Sequence, residues 1–239
     1  MPKITFPDGR TQNYEEGITG YKIAESISRS LLKEAIAISV DGIQQDLCDL
    51  INSDASVSLI TLNNDEGLEI MRHTLTAQVL ARAIKNLYPK AKLAIGPTID
   101  NGFYYDFWYE NPISLDDLSF IENEMRKIIK NGELINKSFK SKDEAIRLFK
   151  ERGENYKIDI INQSEQKENF QIYQQGKSKF IDLCRGPHLP SLKHIGAFRL
   201  TKLAGAYWRG DSKNEMLHRI YGTAWKNDKD LNKYMNMLE

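Results

Sequence analysis

Ile4 and Phe6 alternate with polar neighbours, and Pro7-Asp8-Gly9 supplies a tight turn into a second short strand toward Tyr14. After Thr19-Gly20 the period changes. Ile23, Ala24, Ile27 and Leu31 recur at helical spacing. Strand-like runs follow at residues 35–40 and 57–62, with Asp41-Gly42 as a turn between them. Hairpin, helix and further strands in that order predict a β-grasp, ubiquitin-like module over residues 1–62.

Asn64 and Asp65 are capping residues for a long helix that runs to Tyr88 and stops before Pro89. Two strands are predicted at 92–99 and 103–109, joined by the hairpin turn Asp100-Asn101-Gly102. Ser114 with Asp117, and Ser141 with Glu144, have capping-box spacing and start two more helices. The second of these should end near Arg152, with Gly153 as its C-terminal cap. From 156 to 223 the pattern is mostly strand-like and rich in turn residues. A last helix begins near Asn227 and is still running where the sequence stops, the pattern of a piece of something longer.

Composition narrows the class. With 239 residues and 41% hydrophobic content the chain can bury a core and is not of the disordered type. No apolar run approaches the roughly 18 residues of a membrane span. The N-terminus lacks the basic, apolar, small-residue order of a secretion signal. Two cysteines, Cys48 and Cys184, make no disulfide framework, so a reducing, cytoplasmic location is expected. Lys+Arg and Asp+Glu balance at 33 each, with five basic and nine acidic residues in 1–62 and a basic excess after it. Neither part has the charge footprint of a strong nucleic-acid binder, so contact with RNA is expected to be local.

Candidate chemistry gathers at Asp182-Leu183-Cys184-Arg185-Gly186-Pro187-His188, where Cys184 and His188 stand four apart in a loop held by Gly and Pro. Such a pair can hold a metal, or orient a water and a substrate. A buried Cys beside a turn histidine explains the same spacing. His73 lies near the start of the long helix on a face with Ala77, Leu80 and Ile84, where a lone histidine is ordinarily structural. Gly205 to Asp211 and Ile220 to Trp225 are either strands with aromatic packing or the wall of a pocket, with Arg209 and Asp211 at its rim.

Five motifs occur together and in order: Ala94-Ile95-Gly96-Pro97, Ile99 to Asp106, Asp182 to His188, Ala204 to Asp211, and Arg219 to Trp225. On these the whole chain resembles the N-terminal half of bacterial-type threonyl-tRNA synthetases. The resemblance implies an α+β architecture: a β-grasp TGS domain at 1–62, an α+β editing domain of class II synthetases at 63–226, and the start of a linker helix at 227–239. It implies proofreading hydrolysis of mischarged seryl-tRNA(Thr), with the 3′ acceptor end of tRNA(Thr) and the remainder of the synthetase as partners, and no membrane. The alternative is an editing-impaired module that binds the acceptor end without catalysis.

Carried over by position, the family's site falls on Lys157, Asp182, Cys184 and His188, with Tyr105 nearby. Lys157 would anchor the ester or the attacking water; Asp182 would bind the serine amino group or hold a partner side chain. His188 would position the water as a base, and Cys184 would be a pocket wall that measures the side chain. Arg209 joins the substrate-binding set. The family also has two histidines four apart in the long helix. Counted from Arg72, those positions hold His73 and Ala77; counted back from Pro89, they hold Thr74 and Gln78. The segment is one residue longer than the family's spacing, and one residue turns a helix by about 100°. His73 is therefore the catalytic candidate on the helix, with Thr74 and Gln78 as candidate substrate contacts. Alanyl-type relatives hold zinc with such a histidine pair plus the Cys and His; here the pair is incomplete, so no metal and no cofactor is expected.

Overall fold

A computed structural model describes residues 1–238, which fall into two compact units: Met1–Met71 with Gly186–Pro190, and Arg72–Arg185 with the chain from Ser191 onward.

In the first unit, β1 (Lys3–Thr5) and β2 (Thr11–Asn13) form the expected hairpin. β3 (Ile18–Thr19) leads into α1 (Gly20–Ile27), whose first turn is capped by the Thr19 hydroxyl accepting from Lys22 N–H. The helical run does not continue to Leu31. It breaks at Ser28, whose side chain accepts from Leu31 N–H and starts a separate α2 (Arg29–Glu34). Then come β4 (Ala35–Val40), β5 (Ile43–Gln45), β6 (Leu50–Ile51) and β7 (Ala55–Thr61). The sheet order is β2-β1-β7-β4-β5, with β1 and β7 parallel, and β3 pairs β6. Ile4, Ile23, Ala24, Ile38, Leu47 and Val57 fill the space between sheet and α1. This is the β-grasp arrangement.

The division between units falls inside α3 (Asp65–Thr74). The helix does not run uniformly to Tyr88: residues Leu75–Leu80 form a π-helical turn, and α4 (Ala81–Leu87) resumes the ordinary pitch. The strand expected at 92–99 is interrupted. β8 (Lys92–Leu93) and β9 (Thr98–Ile99) both pair β10 (Gly102–Trp108), while Gly96 and Pro97 between them leave the ladder, Pro97 having no N–H to give. The Asp100–Gly102 turn is as expected, with Asn101 at φ 58°.

α5 (Asp117–Lys130) begins where Asp117 accepts from the Ser114 backbone and hydroxyl. β11 (Ile135–Lys140) leads to α6 (Lys142–Glu151), opened by the complete Ser141–Glu144 capping box and followed by Gly153 at φ 65°. Contrary to the strand-like reading from 156 onward, Asn155–Gln163 is a helix, α7. Its Ile158 and Ile161 sit one turn apart against Phe149, Phe170 and Ile172, so the tertiary partner selects the helical period over β-branched propensity. β12 (Phe170–Gln175) and β13 (Ile181–Leu183) complete the sheet β11-β12-β13. β14 (Ala197–Tyr207) and β15 (Met216–Trp225) extend β10 in the order β14-β15-β10-β8, and α8 (Asp228–Leu238) follows. Among the described residues no helix is long and apolar enough to cross a membrane.

Candidate functional site

A cavity of about 1020 Å³ opens in the second unit. Its wall takes His73 and Ala77 from the long helix, Ile95, Gly96 and Pro97 from the gap in the β8–β9 edge, Lys157 from α7, Asp182 to Arg185 at the end of β13, and Arg209.

Lys157 and Asp182 meet there as an ion pair, Nζ to Oδ1 2.7 Å, with both side chains almost wholly buried. Burial raises the Asp182 pKa and the Lys157 ammonium opposes that rise. The Leu183 N–H also donates to Oδ1. Asp182 thus holds a partner side chain, and that partner is Lys157. Contrary to the strand-like pattern from 156 onward, Lys157 stands on the inner face of a helix.

His73 Nε2 lies 2.9 Å from Cys184 Sγ. The neighbours of His73 fix its place: Arg72 Nε donates to the Ala224 carbonyl and its guanidinium lies over the Trp225 ring, while Thr76 Oγ1 donates to Tyr104 O. Tyr105 is fully buried behind this wall, and among the described residues its hydroxyl has no hydrogen-bond partner. Burial, then the negative charge of Asp182, holds that phenol well above its usual pKa. Gly96 makes the close approach possible, since a Cβ there would stand 2.3 Å from the Tyr105 ring.

Arg209 reaches the rim from a left-handed backbone, φ 57°, uncommon for a residue with a side chain. Its guanidinium pairs with Asp159 at 2.9 Å and bonds Gln163, above the Trp208 ring. His188 belongs to the first unit, in the short segment Gly186–Pro190. It is buried there, its N–H donating to Asp46 Oδ1 at 2.8 Å.

Thr74 and Gln78 are not cavity residues. Both are fully buried, and Ala77 lines the cavity in their stead. The π turn is the physical reason. It takes up one more residue than an α turn, so the helix before it and the helix after it each keep their own phase. The widened turn is held from outside by Gln175 on β12: its Nε2 donates to the Gln78 carbonyl at 2.6 Å and to Gln78 Oε1 at 3.2 Å, and its Oε1 accepts from Arg82 at 2.9 Å. Gln175 was not legible as a site residue, because a glutamine in a strand carries no signal of its own. Gln175→Leu is expected to lower stability by about 1–3 kcal/mol by stranding these buried polar groups. Faster amide exchange confined to the Leu75–Leu80 turn would check the assignment; uniform acceleration would refute it.

Comparison with known proteins agrees with this architecture. Residues 2–61 match the TGS domain, and residues 171–221 match the threonyl and alanyl tRNA synthetase second additional domain. The chain joins a TGS domain to a synthetase editing domain. Over all 239 residues it is 51% identical to the threonine--tRNA ligase of Francisella philomiragia, 50% to that of Ruthia magnifica and 47% to that of Aromatoleum aromaticum. In each case the similarity lies in the N-terminal part of the relative, and the chain spans 37% of the relative's length.

Proposed function

We propose that this chain carries the proofreading activity of a threonyl-tRNA synthetase, hydrolysing the ester of seryl-tRNA(Thr). The observation that supports the reading most is the pairing of Lys157–Asp182 and His73–Cys184 on one cavity wall. Serine is threonine less one methyl, a difference that binding alone discriminates by only about 10–200-fold, so a second site that admits the smaller side chain removes the error.

In this reading the 3′ acceptor end of tRNA(Thr) enters the cavity. The Lys157 ammonium faces the ester carbonyl and stabilises the oxyanion that forms when water attacks. Asp182 holds that ammonium in place. The His73 imidazole takes the water proton and returns it to the ribose oxygen, which leaves as the hydroxyl. Cys184 bounds the side-chain pocket, with no acyl-enzyme needed. The mechanism uses no metal or cofactor. A second reading, acceptor-end binding without turnover, is favoured by Ala77, a cavity residue with no proton to exchange.

Serine release from seryl-tRNA(Thr) separates the two. Release that spares threonyl-tRNA(Thr), and falls roughly 10²–10⁴-fold in a His73→Ala/Cys184→Ala double variant, supports the hydrolase. Binding without release above the double variant supports the second reading. Stoichiometric zinc in the purified protein would overturn the metal-free mechanism.

A further inference from the structure

The three-stranded sheet that ends in Cys184 has one face that begins in the cavity and continues into solvent. The register defines it. Tyr173 stands opposite Asp182, and the Cys184 N–H donates to the Gln171 carbonyl, extending the ladder one step beyond β13. On the other side of β12, Phe139 stands opposite Gln171 and Lys137 opposite Tyr173. Residues directly opposite in an antiparallel ladder project from the same face. Cys184, Gln171 and Phe139 therefore form one row across three strands, with Phe139 about 10 Å from Cys184 at two strand spacings.

The inner end of this row is cavity wall, since both Cys184 and Gln171 line it. At the outer end, Phe139 is 54% exposed, an unusual solvent exposure for a phenylalanine on a strand. The Lys137 ammonium lies 5.4 Å from its ring centroid. Lys137 shares this face with Phe139, whereas Lys140 projects from the other one, and the cavity wall carries Arg185 as well as Glu165.

We propose that Phe139, with Lys137 beside it, is a stacking platform for a nucleobase of a single-stranded RNA 3′ end whose terminal residue occupies the cavity. This rests on the hydrolase or acceptor-end reading above and adds a second subsite to it. An aromatic ring offers a sequence-tolerant face to a base, and neighbouring cations meet the backbone phosphates. The distance of roughly two strand spacings suits the nucleotide next to the terminal one. The same exposed ring is also what a protein partner would cover, but the Lys137 ammonium beside the ring and Arg185 on the adjoining cavity wall favour a polyanion.

The test uses the full chain and an unacylated hairpin RNA with four unpaired 3′ nucleotides, carrying 2-aminopurine at the position before the last. Phe139→Ala should weaken binding by about 5- to 100-fold, as loss of one base–aromatic stack does, and abolish the fluorescence quench seen with the unaltered protein. Phe139→Trp should keep both. Removing the unpaired nucleotides from the RNA should bring the unaltered protein down to the level of Phe139→Ala. Equal affinity and quench in Phe139→Ala would overturn the platform and leave the ring to a protein partner. Failure of the unaltered protein to bind the RNA would instead overturn the tRNA reading itself, and the platform with it.

Discussion

Lys157→Met is expected to cost about 3–5 kcal/mol of stability, because it leaves the Asp182 carboxylate buried without its counter-charge. The two groups are 2.7 Å apart and close to fully buried, so neither is relieved by water once the other is gone. The loss should depend on pH in a definite sense. Burial already holds the Asp182 pKa above its ordinary 3.8, and Lys157 is the largest influence opposing the rise. Without Lys157 the folded carboxyl keeps its proton to still higher pH, while the unfolded chain releases it in the usual range. In that window the folded state binds more protons than the unfolded one, so stability falls as pH rises. Urea unfolding across pH 5 to 8 should show the deficit growing toward the alkaline side. Adding Asp182→Asn should return most of it, since an amide carries no charge to strand. A deficit that does not vary with pH and is not relieved by the second change would mean that lost packing, not charge, is responsible. On the proposed hydrolase reading, serine release should be absent from both variants even where they are folded, because that reading assigns the Lys157 ammonium to the ester.

The second large effect is expected at Gly96. A methyl group there would meet the Tyr105 ring at 2.3 Å and Thr76 Oγ1 at 2.8 Å. Neither neighbour has room to give: the ring is fully buried, and the hydroxyl is bonded to Tyr104 O. Gly96→Ala should therefore lower stability by about 1–3 kcal/mol through overpacking, and distort the cavity wall enough to reduce turnover in the folded fraction. Gly205→Ala is the control. Its added carbon meets only the Met216 side chain at 3.1 Å, which can swing aside. Tyr105→Phe separates ring from hydroxyl: among the described residues the hydroxyl has no hydrogen-bond partner, so its removal should leave stability within roughly 0.5 kcal/mol. Thermal unfolding of the three variants decides the matter, and equal midpoints for Gly96→Ala and Gly205→Ala would refute the close-approach role of Gly96.

What the sequence revealed was whatever has a local cause. The Ser141–Glu144 cap, the Asp100–Gly102 turn and the start of the last helix are each determined by a few adjacent residues. The order of the β-grasp elements was legible for the same reason. Asn155–Gln163 was not, because its isoleucines and tyrosine favour a strand locally and only Phe149, Phe170 and Ile172 across the gap make it a helix. The π turn was hidden for a different reason. All six residues of Leu75–Leu80 are buried, so no polar face records the phase of the helix. Both ways of counting along the helix were plausible on the page of the sequence, and the choice between His73 with Ala77 and Thr74 with Gln78 had to come from three dimensions. Of the motif at Asp182 to His188, residues Asp182 to Arg185 lie on the cavity wall, while the Lys157 link to Asp182 needed the helix that brings the two together.

The wide turn at Leu75–Leu80 also matters at the level of the gene. A helix buried on all sides ordinarily forbids the gain or loss of a single codon, since every later side chain would be swung off its contacts. Here the wider pitch is confined to one turn, and Ala81 onward resumes the ordinary helix. A one-codon change within such a turn is thereby absorbed locally, and what it would rewrite is the side chain that the helix presents to the cavity.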